Sequence, residues 1–102
     1  MINNLYKKLL DLYDKKNFQE IENQYFKFYS LYTSDILSLN LFAIYHISKK
    51  NFAEAEQCLS LAKQLDGKNY NTLINFANMH VSMGSLNKSI PYLKSALDEK
   101  KN

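Results

Sequence analysis

The chain is 102 residues long, and 46% of its residues are hydrophobic, 14% aromatic and 23% charged. This length fits one domain, and the composition is that of an ordinary soluble globular protein. No apolar run reaches the roughly 18–20 residues that a membrane helix needs, and the first residues lack the apolar stretch of a signal peptide. The single cysteine, Cys58, cannot form an internal disulfide. We therefore expect a cytoplasmic protein that does not contact a membrane.

The net charge of +3 comes from thirteen basic and ten acidic residues, and every basic residue is a lysine. Arginine is the side chain that most often contacts guanine edges and phosphates in pairs of hydrogen bonds, and it is absent. We therefore expect no nucleic-acid partner.

Six helices are predicted in chain order, because apolar residues recur at three- and four-residue spacing and glycine and proline are scarce. Their expected ranges are 2–15, 18–32, 35–49, 52–66, 70–83 and 87–100. Candidate N-caps are Asn17, Asp35, Asn51 and Asn69, and Glu20 and Glu54 complete candidate capping boxes. Pro91 would disrupt a helix interior, so we expect the last helix to start late or with a bent first turn.

An internal repeat relates three parts of the chain. The segment 15–20 (KKNFQE) returns as 49–54 (KKNFAE), 34 residues later, and a further 34 residues leads to 83–88 (MGSLNK). The same offset relates His46 to His80 and Leu59 to Leu93. A register kept across three copies predicts a repeat array.

The repeat resembles the tetratricopeptide repeat, a 34-residue pair of antiparallel helices. In the middle copy Phe42, Ala43, Ala55 and Leu59 match the family's large and small positions, whereas His46 replaces its usual tyrosine. The resemblance implies an all-α, right-handed α-solenoid of three helix-turn-helix repeats in a single domain 1–102. The repeats are expected at about 2–35, 36–69 and 70–102.

The chain departs from the family pattern at two places. No copy ends in the family's proline, and Gly67 is expected to end a helix in a left-handed conformation instead. The first copy has Leu9, Ile21 and Phe28 where small residues are expected, so its helices should be pushed apart. It also holds eight of the fourteen aromatic residues. These form either an enlarged core at the end of the array or an exposed patch that docks a partner.

No catalytic motif, phosphate loop or paired cysteine is present, so we expect no enzyme activity, no cofactor and no metal. His46 and His80 occupy equivalent positions in successive copies and are expected to pack between repeats. Cys58 is expected to be a structural or merely exposed thiol.

The resemblance implies a partner-binding groove formed by the first helices of the repeats. By register we expect it to contain Asn3, Tyr6, Leu10, Tyr13, Leu37, Asn40, Ile44, Ile47, Asn71, Asn75, Asn78 and Ser82. Asparagine amides can hold a peptide backbone, and the aliphatic residues would supply an apolar floor. No groove residue is basic, so no carboxylate clamp is expected. The alternatives are that the aliphatic side chains are simply buried and that Asn75 and Asn78 are ordinary surface residues.

These features favour a non-enzymatic interaction scaffold that binds a protein or peptide segment. The alternative is the N-terminal arm of a larger enzyme, such as a bacterial transferase, with the chain as a fragment of it. A composition rich in Lys, Asn, Ile, Tyr and Phe favours a bacterial source. On the last helix Ile90 and Leu97 have nothing to cover them, so this face is expected to contact a next repeat or to form a homodimer.

Overall fold

The computed structural model describes the backbone of residues 2–101 and the side chains of residues 5–100. The helices are α1 (Ile2–Asp14), α2 (Phe18–Phe28), α3 (Ile36–Ser48), α4 (Phe52–Leu65), α5 (Tyr70–Ser82) and α6 (Leu86–Lys101). A 3₁₀ turn (Tyr29–Leu31) follows α2, and residues 2–101 contain no β-strand. The predicted all-α fold with six helices is confirmed. Among these helices, none is both long enough and apolar enough to cross a membrane.

Neighbouring helices pair in sequence order, and the pairs stack side by side. Helix α3 packs on α4 and α5 packs on α6, while α1 contacts α3, and α5 contacts both α3 and α4. The described chain measures 34 × 29 × 22 Å along its principal axes. The first helix of each pair therefore lies next to the first helix of the following pair.

The turn inside each pair has the same backbone geometry three times. Lys16, Lys50 and Gly84 adopt left-handed conformations, with φ of 57°, 62° and 79°, and they are spaced 34 residues apart. In each turn the following amide bonds back over five residues, which is the Schellman ending of a helix. These bonds are Asn17 N to Leu12 O, Asn51 N to His46 O and Ser85 N to His80 O, each 2.8 Å long. The repeat seen in the sequence is thus also a repeat of the backbone.

Two of the predicted N-caps form. The Oδ1 of Asn17 accepts a hydrogen bond from the Glu20 amide at 3.4 Å, and the Oδ1 of Asn69 accepts one from the Thr72 amide at 3.0 Å. The capping box is only half made, because the Glu20 carboxylate accepts hydrogen bonds from Gln24 and a neighbouring asparagine.

The other two predicted caps make no capping hydrogen bond. The amide of Asn51 lies 3.4 Å from Nδ1 of His46, so this side chain is committed to the preceding helix. The carboxylate of Asp35 instead accepts a hydrogen bond from the hydroxyl of Ser38.

Gly67 and Pro91 act differently from the predictions made for them. Among the described glycines only Gly84 has a positive φ; α4 ends at Leu65, and Asp66 after it is extended. Helix α6 begins at Leu86 and continues through Pro91, so it does not start late. Its first turn is tightened by a three-residue hydrogen bond from Lys88 N to Ser85 O, at 3.0 Å. The carbonyl of residue 87, which loses its donor to the proline, belongs to an exposed residue that water can reach.

The first pair is the irregular one, as its bulky residues predict. Leu9 and Ile21 are fully buried, and α1 and α2 approach each other less closely than the helices of the other two pairs do. Helix α2 ends at Phe28, four residues earlier than predicted, and the 3₁₀ turn carries the chain on to a fully buried Tyr32. The ring of Tyr32 packs edge-on against Phe42 at a centroid distance of 5.0 Å.

The aromatic residues of the first repeat mostly join the core. Tyr25 is buried, and its ring contacts Phe42 and His46 at centroid distances of 5.3 and 4.3 Å. Only Phe26 and Phe28 are exposed among the eight. The enlarged core is therefore the better description of this cluster.

Candidate functional site: a cavity on the first helices

The first helices of all three pairs line one cavity of about 280 Å³. Helix α1 contributes three residues, α3 four and α5 three. They are Tyr6, Leu10, Tyr13, Leu37, Asn40, Leu41, Ile44, Asn71, Ile74 and Asn75. Leu10, Leu37 and Ile44 are each between 37% and 41% exposed, so the apolar surface of the cavity is open to solvent.

Eight of the twelve predicted groove residues line this cavity, and the other four do not. Ile47 is half-buried and packs against the core, whereas Asn78 and Ser82 are exposed on α5 outside the cavity. The side chain of Asn3 lies outside the described residues. The alternative that the aliphatic groove residues are simply buried fits Ile47 but not Leu37 or Ile44.

Two cavity residues, Leu41 and Ile74, escaped the sequence analysis. The signal for Ile74 was present, because adding the repeat length to Asn40 gives position 74 and not Asn75. Leu41 lies four residues after Leu37 and three before Ile44, so it belongs to the same helical face.

Asn40 joins α3 to α5 beneath the cavity. Its Nδ2 donates to Ile36 O at 3.0 Å and to Thr72 Oγ1 at 2.9 Å, and its Oδ1 accepts from Asn75 Nδ2 at 2.8 Å. Both amide hydrogens of Asn40 are thereby used within the fold. Asn40 and Asn75 are also nearly buried, at 7% and 6% exposure. The exposed Asn71 is consequently the amide best placed to meet a bound chain.

The lining of the cavity carries no formal charge, since it consists of aliphatic residues, tyrosines and asparagines. Such a surface has nothing with which to neutralise a buried ion, and burying an unpaired charge is strongly unfavourable. The cavity therefore suits uncharged groups, in keeping with the prediction that it holds no carboxylate clamp.

The histidines and the cysteine are parts of the packing. His46 is fully buried, and burial lowers its pKa despite the opposing charges of Glu54 and Glu22. Burial also raises the pKa of the Cys58 thiol to about 11, which suppresses its reactive thiolate form. His80 stacks on Tyr92 at a centroid distance of 5.5 Å. No cluster of metal-ligating side chains is found among the described residues.

A second surface of note lies on α6. Leu86, Ile90, Leu93 and Leu97 are 64%, 42%, 39% and 59% exposed, and they follow one another at spacings of four, three and four residues. We call these four residues the α6 stripe. At 100° per residue they fall on one narrow face of the helix, and this face includes the two residues predicted to be uncovered.

A model of the family described as coatomer epsilon subunit matches residues 16–102. The chain belongs to this family. The match covers α2 to α6 and leaves out nearly all of α1, which belongs to the irregular first pair. No curated protein and no solved structure matches the chain.

Proposed function

We propose that the protein is a non-enzymatic, cytoplasmic scaffold that binds a segment of another protein in the cavity on α1, α3 and α5. The observation that carries the proposal is that three successive first helices jointly build one open, uncharged cavity. Membership in a family named for a subunit supports a role in binding other proteins.

The helix pairs are, in this proposal, three tetratricopeptide-type repeats spanning about 2–35, 36–69 and 70–102 in a single right-handed solenoid. The three left-handed turn residues at 34-residue spacing support it. In such an array the first helices form one continuous surface, which is where the cavity lies.

The bound segment is expected to be uncharged at the positions that enter the cavity and to carry aliphatic or aromatic side chains there. Leu10, Leu37 and Ile44 would contact these side chains, and Asn71 would pair with the backbone of the segment. At about 280 Å³ the cavity is at the lower end of the range of roughly 300–1,000 Å³ for small-molecule sites, which favours side chains over a large ligand.

A displayed library of uncharged amphipathic peptides tests the proposal. Peptides selected on the wild-type protein should lose at least tenfold in affinity against Ile44→Lys, because this change places a charge in the apolar cavity. Ile44 is exposed, so the variant should keep its fold, and far-ultraviolet circular dichroism checks that it does.

Leu65→Lys is the matched control, because Leu65 is similarly exposed on α4 and lies outside the cavity. It should bind the selected peptides as the wild type does. Selected peptides that bind Ile44→Lys and Leu37→Lys with unchanged affinity would refute the site.

A further inference from the structure

The α6 stripe is more apolar than its place in the repeat requires. By the 34-residue register Leu86, Ile90, Leu93 and Leu97 correspond to Phe52, Glu56, Leu59 and Lys63 of α4. Two of the four positions are therefore charged and exposed in the equivalent helix.

Coverage of α4 shows what a following helix pair does. Leu59 is fully buried where α5 packs on α4, yet Glu56 and Lys63 stay exposed beside it. A further pair packed on α6 in the same way would cover Leu93 and leave Ile90 and Leu97 in water. An occupant that covers the whole stripe must run along α6 itself.

We propose that the α6 stripe is a self-association surface, on which α6 of a second copy of this chain lies antiparallel. The spacing of four, three and four residues is unchanged when the direction is reversed. An antiparallel copy therefore sets Leu86 against Leu97 of the second copy and Ile90 against its Leu93, as a two-fold interface requires.

Charge also favours the antiparallel arrangement over the parallel one. Lys94 lies beside the stripe on its solvent side. In a parallel pair Lys94 would face the same lysine of the second copy, whereas in an antiparallel pair it lies near the neutral Asn87 of that copy. Antiparallel helices also place opposite ends of their dipoles side by side, which is favourable.

Sedimentation equilibrium over a hundredfold range of concentration is the first test. The wild type should move from 12.0 kDa toward twice that mass. Leu97→Lys and Ile90→Lys should remain monomeric, and Leu65→Lys should dimerise as the wild type does. A wild type that stays monomeric throughout, a dimer that survives both stripe variants, or growth beyond the dimer would overturn the proposal.

Cysteine cross-linking tests the direction of pairing. Mixing Leu86→Cys with Leu97→Cys should give a disulfide between copies, because these positions oppose each other. Either variant alone should not, since its cysteines would lie roughly 16 Å apart at 1.5 Å per residue, too far for a disulfide. Cross-linking of each variant with itself and not in the mixture would contradict the antiparallel arrangement. Cys58 is fully buried, so it does not compete.

Discussion

His46 shows how burial sets the properties of a polar side chain in this fold. Its ring lies against Tyr25, and Asn51 is its hydrogen-bonding neighbour through Nδ1, while Nε2 is buried without a partner. A proton added to this ring would place a charge where no water reaches, and so burial lowers the pKa.

The stability of the protein should therefore fall as the pH drops below the ordinary histidine value of about 6.5. Below that value the unfolded chain takes up a proton at position 46, whereas the folded chain does so only at lower pH. The free energy of unfolding then decreases by at most about 1.4 kcal/mol per pH unit for this proton. Urea unfolding at several values between about pH 7.5 and 5.5 measures the slope.

His46→Gln is the comparison for this prediction, because it removes the titrating group and keeps a polar side chain. Its unfolding free energy should depend less on pH over the same interval than that of the wild type. An identical slope in the two proteins would show that His46 is not responsible.

At the scale of the element, the turns between paired helices carry the repeat. A left-handed residue ends the first helix each time, but only the third turn uses glycine. A non-glycine residue in this conformation costs roughly 1–2 kcal/mol. The first two turns bear this cost at Lys16 and Lys50.

Gly84→Ala should destabilise the protein by about 1 kcal/mol. A Cβ at this position would meet no atom within 4 Å, so the cost comes from the positive φ alone. Gly67→Ala is the matched control, since its φ is not positive and its Cβ would make an ordinary 3.6 Å contact with Lys63 O. Chemical denaturation of both variants checks the difference, and an equal loss in the two would contradict it.

At the scale of the whole molecule, packing is strongest in the middle of the array. Residues 38–43 of α3 are all buried, whereas Leu9 is the only buried side chain in residues 5–14. Helix α3 touches a helix on every side, and α1 lies at one end in the more open pair.

Hydrogen exchange should follow this gradient, because amides open more easily where fewer groups are packed around them. Mass spectrometry of exchanging protein should show the slowest exchange in α3 and clearly faster exchange in α1. Equal protection of α1 and α3 would mean that the three pairs unfold as one unit from equally stable parts.

The candidate site was predictable as a set of helix faces but not as a set of roles. Periodicity placed Tyr6, Leu10 and Ile44 on one surface, because residues at such spacing share a helical face. It could not separate Asn40 from Asn71, since the burial of one and the exposure of the other depend on how closely α3 approaches α5.

The sequence by itself determined the helices, their pairing and the 34-residue period, because these follow from local spacing and turn chemistry. The irregular end of α2, the bonding partner of Asn51 and the exposure of Leu93 were decided only by tertiary structure. Leu59 and Leu93 make the reason plain: they are the same residue type at the same repeat position. One is buried under α5 and the other is open, because burial belongs to a neighbouring helix that no local pattern encodes.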